Sequence, residues 1–206
     1  MVSYTLDKKK QGIEVSKHLY GLFFEDINQS ADGGLNAEMV INNSFEFEYL
    51  SYDLHNCTVP VSVRQMKDKY WDISGAGPHY ISTEGGIAPS NPSYLVLCVG
   101  GFYRVENPGY AVGAWNYYGM ALNEGETYHF SMWVKKLGFA GTAEIYVRGA
   151  RSVLTTKAEI SLEGDSGEWV KVGCSVKALS TELGRLVILF KGRGHIGVDY
   201  VSLLPS

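Results

Sequence analysis

Residues 127–134 read Thr127-Tyr128-His129-Phe130-Ser131-Met132-Trp133-Val134. Tyr128, Phe130, Met132 and Val134 share one side of a two-residue repeat, the period of a β-strand with one buried face. Further on, Ala143-Glu144-Ile145-Tyr146-Val147-Arg148 repeats the pattern, with Ala143, Ile145 and Val147 inward and Glu144, Tyr146 and Arg148 outward. Upstream, Tyr94-Leu95-Val96-Leu97-Cys98-Val99 is a compact apolar run after a turn at 89–92. Downstream, segments 186–190 and 196–203 are parted by Gly192-Arg193-Gly194. From about Tyr52 onward, short strands alternate with turn signals and no useful helical period appears. This part of the chain is therefore expected to be mainly β, a jelly-roll β-sandwich.

Composition narrows the function. The 206 residues are 45% hydrophobic, enough for a real core, and predict a soluble globular protein. A net charge of -4, with no basic run beyond Lys8, Lys9 and Lys10, supplies no electrostatic footprint for a polyanion, so nucleic acid is not an expected partner. No stretch approaches the length of a membrane span, and no membrane partner is expected. The first ten residues are polar rather than signal-like, which makes the cytoplasm the default compartment and an extracellular one the expectation if the amino terminus is processed. Cys57, Cys98 and Cys174 are odd in number and widely spaced, and read as free thiols rather than a disulfide framework or zinc site. His18, His55, His79, His129 and His195 lack metal spacing, and no serine nucleophile elbow occurs.

The first fifty residues have a different texture. Leu19-Tyr20-Gly21-Leu22-Phe23-Phe24 is apolar on both sides, as in a parallel strand covered on both faces, and Glu25-Asp26 follows at its carboxyl end. Leu35, Ala37, Glu38, Met39 and Val40 then fit a short helix. A buried strand with carboxylates at its end and a following helix is the first β/α piece of a TIM barrel, whose sites lie at strand C-termini. The other seven units are not in this sequence, so the segment reads as an incomplete barrel. The alternative is an edge strand added to the sandwich.

The run from Leu19 to Asn28, continued by Ala31-Asp32-Gly33-Gly34-Leu35-Asn36-Ala37-Glu38 and Asn42-Asn43-Ser44-Phe45-Glu46, resembles the amino-terminal signature of glycoside hydrolase family 51 α-L-arabinofuranosidases. The stretch Gly194-His195-Ile196-Gly197-Val198-Asp199-Tyr200-Val201-Ser202-Leu203 resembles the last strand of carbohydrate-binding modules of families 4 and 9, which interrupt the barrel in one subgroup of these enzymes. The resemblance divides the chain into residues 1–43, the start of the catalytic region, and 44–206, the carbohydrate-binding-like sandwich. It implies a retaining parent enzyme acting on arabinoxylan, arabinan or their oligosaccharides, with the remainder of the barrel as a partner. Retention requires a nucleophile and an acid/base carboxylate roughly 5 Å apart. In the family both lie on later barrel strands, so no catalytic residue is expected here and the isolated chain should be inactive. Glu25 and Asp26 are no substitute, because adjacent strand residues point to opposite faces.

The same resemblance assigns Glu25 to the substrate, since an ionised carboxylate accepts several sugar hydroxyls with charge-assisted strength. It also assigns Glu46 and Asp199 to a structural calcium, whose six to eight oxygens backbone carbonyls and Asn43 would complete. The alternative is ordinary surface carboxylates. Sugar C–H faces stack on flat aromatics, and Trp115, Tyr117 and Tyr118, in the glycine-flanked stretch 113–119, form the expected platform, with Tyr146 and Arg148 on the same surface. Trp71 and Tyr80 are weaker candidates, while Trp133 and Trp169 are assigned to packing and rim roles. The readings that compete with an arabinofuranosidase fragment are an autonomous carbohydrate-binding protein and a β-sandwich interaction domain.

Overall fold

The computed structural model describes residues 37–52, 60–65, 67–110, 119–162 and 167–206. The chain forms two compact units, Met1–Ala31 and Asp32–Ser206, and all described residues lie in the second. Glu25, Trp115, Tyr117, Tyr118, Cys57, His18 and His55 fall outside the described residues.

Ten strands occur among the described residues. They are β1 (Glu48–Tyr52), β2 (Pro60–Gln65), β3 (Asp72–Gly75), β4 (His79–Ser82), β5 (Tyr94–Asn107), β6 (Met120–Leu122), β7 (Thr127–Arg148), β8 (Ala158–Ser161), β9 (Trp169–Lys177) and β10 (Glu182–Pro205). All the pairings are antiparallel. Strands β1 and β2 form a hairpin, and the other eight form a sheet on the path β3-β5-β10-β7-β8, with β4 on β5, β6 on β10 and β9 on β7.

The alternation read from the sequence produces this result. Tyr128, Phe130, Met132 and Val134 are buried, as are Ala143, Ile145 and Val147, and all seven join one core with Leu95, Leu97, Leu186, Ile188 and Phe190. Each large side chain buried in this way contributes roughly 1.5–3 kcal/mol of transfer free energy.

The sequence predicts separate strands at 127–134 and 143–148, and again at 186–190 and 196–203. Instead β7 and β10 each run without interruption through both halves. The reason is a row of glycines. Gly192 of β10 pairs with Gly101 of β5 on one side and Gly141 of β7 on the other, all three at positive φ. A Cβ on Gly141 would meet the Lys191 carbonyl, and one on Gly192 the Ala140 carbonyl. Glycine there lets the backbones of β7 and β10 pass at close quarters while the ladder continues, and residues from both halves share one core.

Residues 37–40 are not helical, which corrects the short helix expected there. Glu38 Oε1 accepts hydrogen bonds from the amides of Met39, Val40 and Leu203, each at 3.0 Å. The Met39 amide also reaches the Leu203 carbonyl at 3.1 Å. The amides a helix would need are thus committed locally and to β10.

The following Asn42-Asn43-Ser44-Phe45-Glu46 segment ties loops together. Asn42 has a φ of 50°, a conformation asparagine tolerates. Its Nδ2 donates to the Lys67 and Lys69 carbonyls at 2.8 and 2.9 Å, and its own carbonyl accepts Trp71 Nε1 at 2.9 Å. Trp71 stacks on Phe45 with centroids 5.2 Å apart. That contact makes Trp71 a core residue rather than a ligand platform.

Candidate functional site

Three arrangements on the sandwich combine polar or charged chemistry with a defined geometry. The first brings Glu46 and Asp199 together. Between Asp199 and Ser202 the β10 register on β7 shifts: Asp199 pairs with Trp133 and Ser202 with Ser131. Three steps on one strand oppose two on the other, which defines a β-bulge, and Tyr200 within it has a φ of 44°. The bulge leaves Asp199 0% exposed. Its Oδ1 accepts the Tyr200 amide at 2.7 Å and its Oδ2 accepts Asn91 Nδ2 at 2.9 Å. Glu46 Oε1 accepts the Ser93 amide at 2.6 Å, and Oε2 accepts Ser93 Oγ at 3.0 Å and Lys67 Nζ at 2.7 Å.

The two carboxylates respond in opposite directions. Burial pushes Asp199 up to about 8, and the negative charge of Glu46 adds to it, against the opposing hydrogen bonds from Tyr200 and Asn91. Burial also acts on Glu46, but Lys67 and Ser93 outweigh it and hold that carboxyl below its ordinary value. A hard cation suits this donor chemistry, because Glu46, Asp199 and the Ser93 hydroxyl all offer oxygens and the hydrogen bonds to Asp199 come from a neutral amide side chain and a backbone amide. Lys67 competes for the Glu46 edge of the same place. No group of three or more His, Cys, Asp or Glu gathers as a metal cluster among the described residues.

The second arrangement covers the outward face of β3, β5, β10, β7 and β8. Cross-strand register sets Asp72 beside Glu106, Glu106 beside Val187, and Val187 beside Tyr146. The next row on the face is Ser74, Arg104, Leu189, Glu144 and Glu159. Tyr146 and Arg148 therefore do lie on one outward face, and both are engaged. Lys157 Nζ sits 4.5 Å from the Tyr146 ring centroid. Arg148 grips Glu106 in a two-bond fork, Nε to Oε1 at 2.8 Å and Nη2 to Oε2 at 2.6 Å. The Glu106 carboxylate raises the Arg148 pKa above its ordinary value. No sequence motif singles out Glu106; the alternation Arg104-Val105-Glu106 puts it outward, but only the register reveals which arginines it meets.

The third is a depression of about 500 Å3 on the other half of the sandwich, with Trp133, Tyr200, Ser131, Ser202, Asn43 and Lys171 in its lining. Two aromatic rings beside hydroxyls and an amide are the ingredients of a sugar contact. Here too the sequence carried a sign, the break in alternation at Asp199-Tyr200. Trp169 instead opens β9, as expected of a framework position, and lies edge-on to Tyr94 at 5.0 Å. Cys98 and Cys174 are free and half-buried.

These features define an all-β, antiparallel sandwich module whose two halves carry exposed aromatic and polar surface. No family model matches the chain. Its relatives are arabinofuranosidases. It is 32% identical to the extracellular exo-α-L-arabinofuranosidase of Streptomyces chartreusis over 204 residues, 98% of this chain and 22% of that protein. It is 27% identical to α-L-arabinofuranosidase 1 of Arabidopsis thaliana over 209 residues, 94% of this chain and 28% of that protein. The chain thus spans about a quarter of the length of the curated relatives it matches. Among solved structures, an arabinose-bound GH51 α-L-arabinofuranosidase superposes with a TM-score of 0.66 at 21% identity, over 91% of this chain and 29% of that one. The enzymatically active domain of bacteriophage CBA120 tailspike protein 4 reaches a TM-score of 0.56 at 13% identity, over 82% of this chain and 22% of that one. Both structural likenesses concern the fold.

Proposed function

We propose that this chain is the amino-terminal portion of a retaining family 51 α-L-arabinofuranosidase that acts on arabinose-containing polysaccharides or oligosaccharides. It comprises the start of the catalytic barrel and a carbohydrate-binding or spacer module, and it holds no catalytic pair. The observation that carries this reading is the match to the Streptomyces enzyme, which runs through 98% of this chain but only 22% of that protein. The extracellular location in that relative's name supports a secreted parent. In the complete enzyme the later barrel strands provide the nucleophile and the acid/base. Glu25 contributes a substrate contact at the end of the first strand. The module contributes sugar contacts through Trp115, Tyr117 and Tyr118, with Tyr146 and Arg148 on its outward face as further contacts, and Glu46 and Asp199 hold a structural calcium.

Purified free of contaminating glycosidases, the chain should release no p-nitrophenol from p-nitrophenyl α-L-arabinofuranoside. Turnover that disappears on Glu25→Gln would defeat the fragment reading. For the module, soluble arabinoxylan should retard the chain in affinity electrophoresis, and Trp115→Ala should weaken retardation by roughly 1–3 kcal/mol, the scale of a large buried aromatic contact. Retardation lost instead on Trp133→Ala, with Trp115→Ala unchanged, would move the sugar site to the depression beside Tyr200.

A further inference from the structure

The outward face around Glu106 carries more guanidinium than it can neutralise. Glu106 is 0% exposed, and three arginines converge on it. Arg148 takes both oxygens in its fork. Arg104 Nε stands 3.3 Å from Oε1, and Arg185 Nε 3.6 Å from Oε2. Arg185 Nε is buried without a hydrogen-bond partner, as expected if the carboxylate is already saturated. Asp72, exposed near Arg148, adds to the raising of that group and offsets one further charge. A surplus cation remains, and Arg104 is the group with capacity to spare: its side chain is 45% exposed and only loosely held by Glu106.

Arg104 also reaches the neighbouring depression. Register puts it between Ser74 and Leu189, and Phe102, two residues earlier on the same face, is 59% exposed. With Gly75 and Ala76 these residues line a hollow of about 570 Å3. Across the face Glu144 is matched by Lys157 and Lys191, each at 2.9 Å, so that carboxylate is already compensated. An open aromatic ring, a nearby serine and an under-used guanidinium form a complementary set. The ring offers a surface for sugar C–H groups, and the guanidinium a planar fork for a carboxylate.

We propose that this hollow binds a uronate, a glycosyl residue whose ring stacks on Phe102 and whose carboxylate is taken by Arg104, with Ser74 beside its hydroxyls. The proposal rests on the carbohydrate-binding reading and specifies the sugar class. A neutral pentose would satisfy Phe102 and Ser74 but leave the surplus charge unmatched. A simple phosphate would satisfy the charge but make no use of Phe102.

The test is titration calorimetry of the full chain with a glucuronic-acid-bearing xylo-oligosaccharide and with the neutral xylo-oligosaccharide of the same length. The acidic ligand should bind roughly tenfold more tightly, the scale of one charge-assisted fork, and the preference should shrink in 0.5 M NaCl. Arg104→Gln should erase the preference while leaving neutral binding in place, and Phe102→Ala should weaken both ligands. If Arg104→Gln does not fold, judged by its melting curve, Arg104→Lys provides the second variant, and a reduced but surviving preference is expected. Equal affinity for both ligands, or a preference untouched by Arg104→Gln or Arg104→Lys, overturns the uronate site while the carbohydrate-binding reading stands. Binding of neither ligand overturns the site as well, and leaves the spacer form of that reading.

Discussion

Glu106→Gln removes one negative charge from beneath three guanidinium groups while keeping the side chain's shape. Breaking a buried ion pair by deleting one partner costs about 3–5 kcal/mol when the other charge stays buried. Here the stranded partners are not fully buried, because Arg148 is 33% and Arg104 45% exposed. Both can turn toward water, which lowers the expected loss to about 2–3 kcal/mol. Arg185 also loses its ion pair with Glu106, but that contact is the longest of the three at 3.6 Å and involves no hydrogen bond from its Nε. Urea unfolding should therefore show a lower midpoint with an unchanged slope, the mark of lost stability rather than an altered denatured state. A double-mutant cycle with Arg148→Gln isolates the fork, and its coupling should exceed about 1 kcal/mol. A Glu106→Gln protein within about 0.5 kcal/mol of the parent, or a coupling near zero, would show that the fork does not hold the sheet face together and that Arg104 has no saturated carboxylate to escape from.

Asp199 supplies a pH prediction. Its folded value of about 8 lies above its ordinary 3.8, so between those values the folded state keeps a proton that the unfolded state has lost, and stability should fall as pH rises through that window. Melting temperatures from pH 5 to 8 should decline in chelator, and calcium should raise and flatten the series by binding the ionised form; a flat series in chelator, matching Asp199→Asn, would exclude this account. Burial raises the Cys174 thiol from 9.0 to about 11, so at pH 8 the native chain should be alkylated at Cys174 about a hundredfold more slowly than the unfolded chain. Peptide mapping after iodoacetamide treatment checks this, and equal rates would contradict it.

The strands were legible because their signal is local. Tyr128 through Val134 and Ala143 through Val147 carry a two-residue period on one sheet face, and that period alone decides which side is buried. The continuity of β7 and β10 was hidden for a converse reason. Gly141 and Gly192 look like strand ends when each is read within its own segment, and their role emerges only when the register places them side by side with Gly101. The helix expected across residues 35–40 failed at 37–40 in the same way, because the competing acceptor for the Leu203 amide is Glu38, 165 residues away.

Function follows the same division. Glu46 and Asp199 could be singled out only through motifs, yet one bulge buries Asp199 and brings it under the influence of Glu46. Arg148 faces outward as its alternation requires, but alternation cannot reveal that its guanidinium is already bound to Glu106. The practical consequence concerns Arg104. It has the same outward phase on its own strand as Arg148, and composition gives no means of ranking the two as ligand contacts. The difference lies in how much of a shared carboxylate each has claimed, two short bonds for Arg148 and one approach of 3.3 Å for Arg104. A charge with an uncommitted fork can be recruited by a ligand without first breaking a buried pair. On that physical ground Arg104, rather than Arg148, is the residue at which altered sugar specificity should be sought.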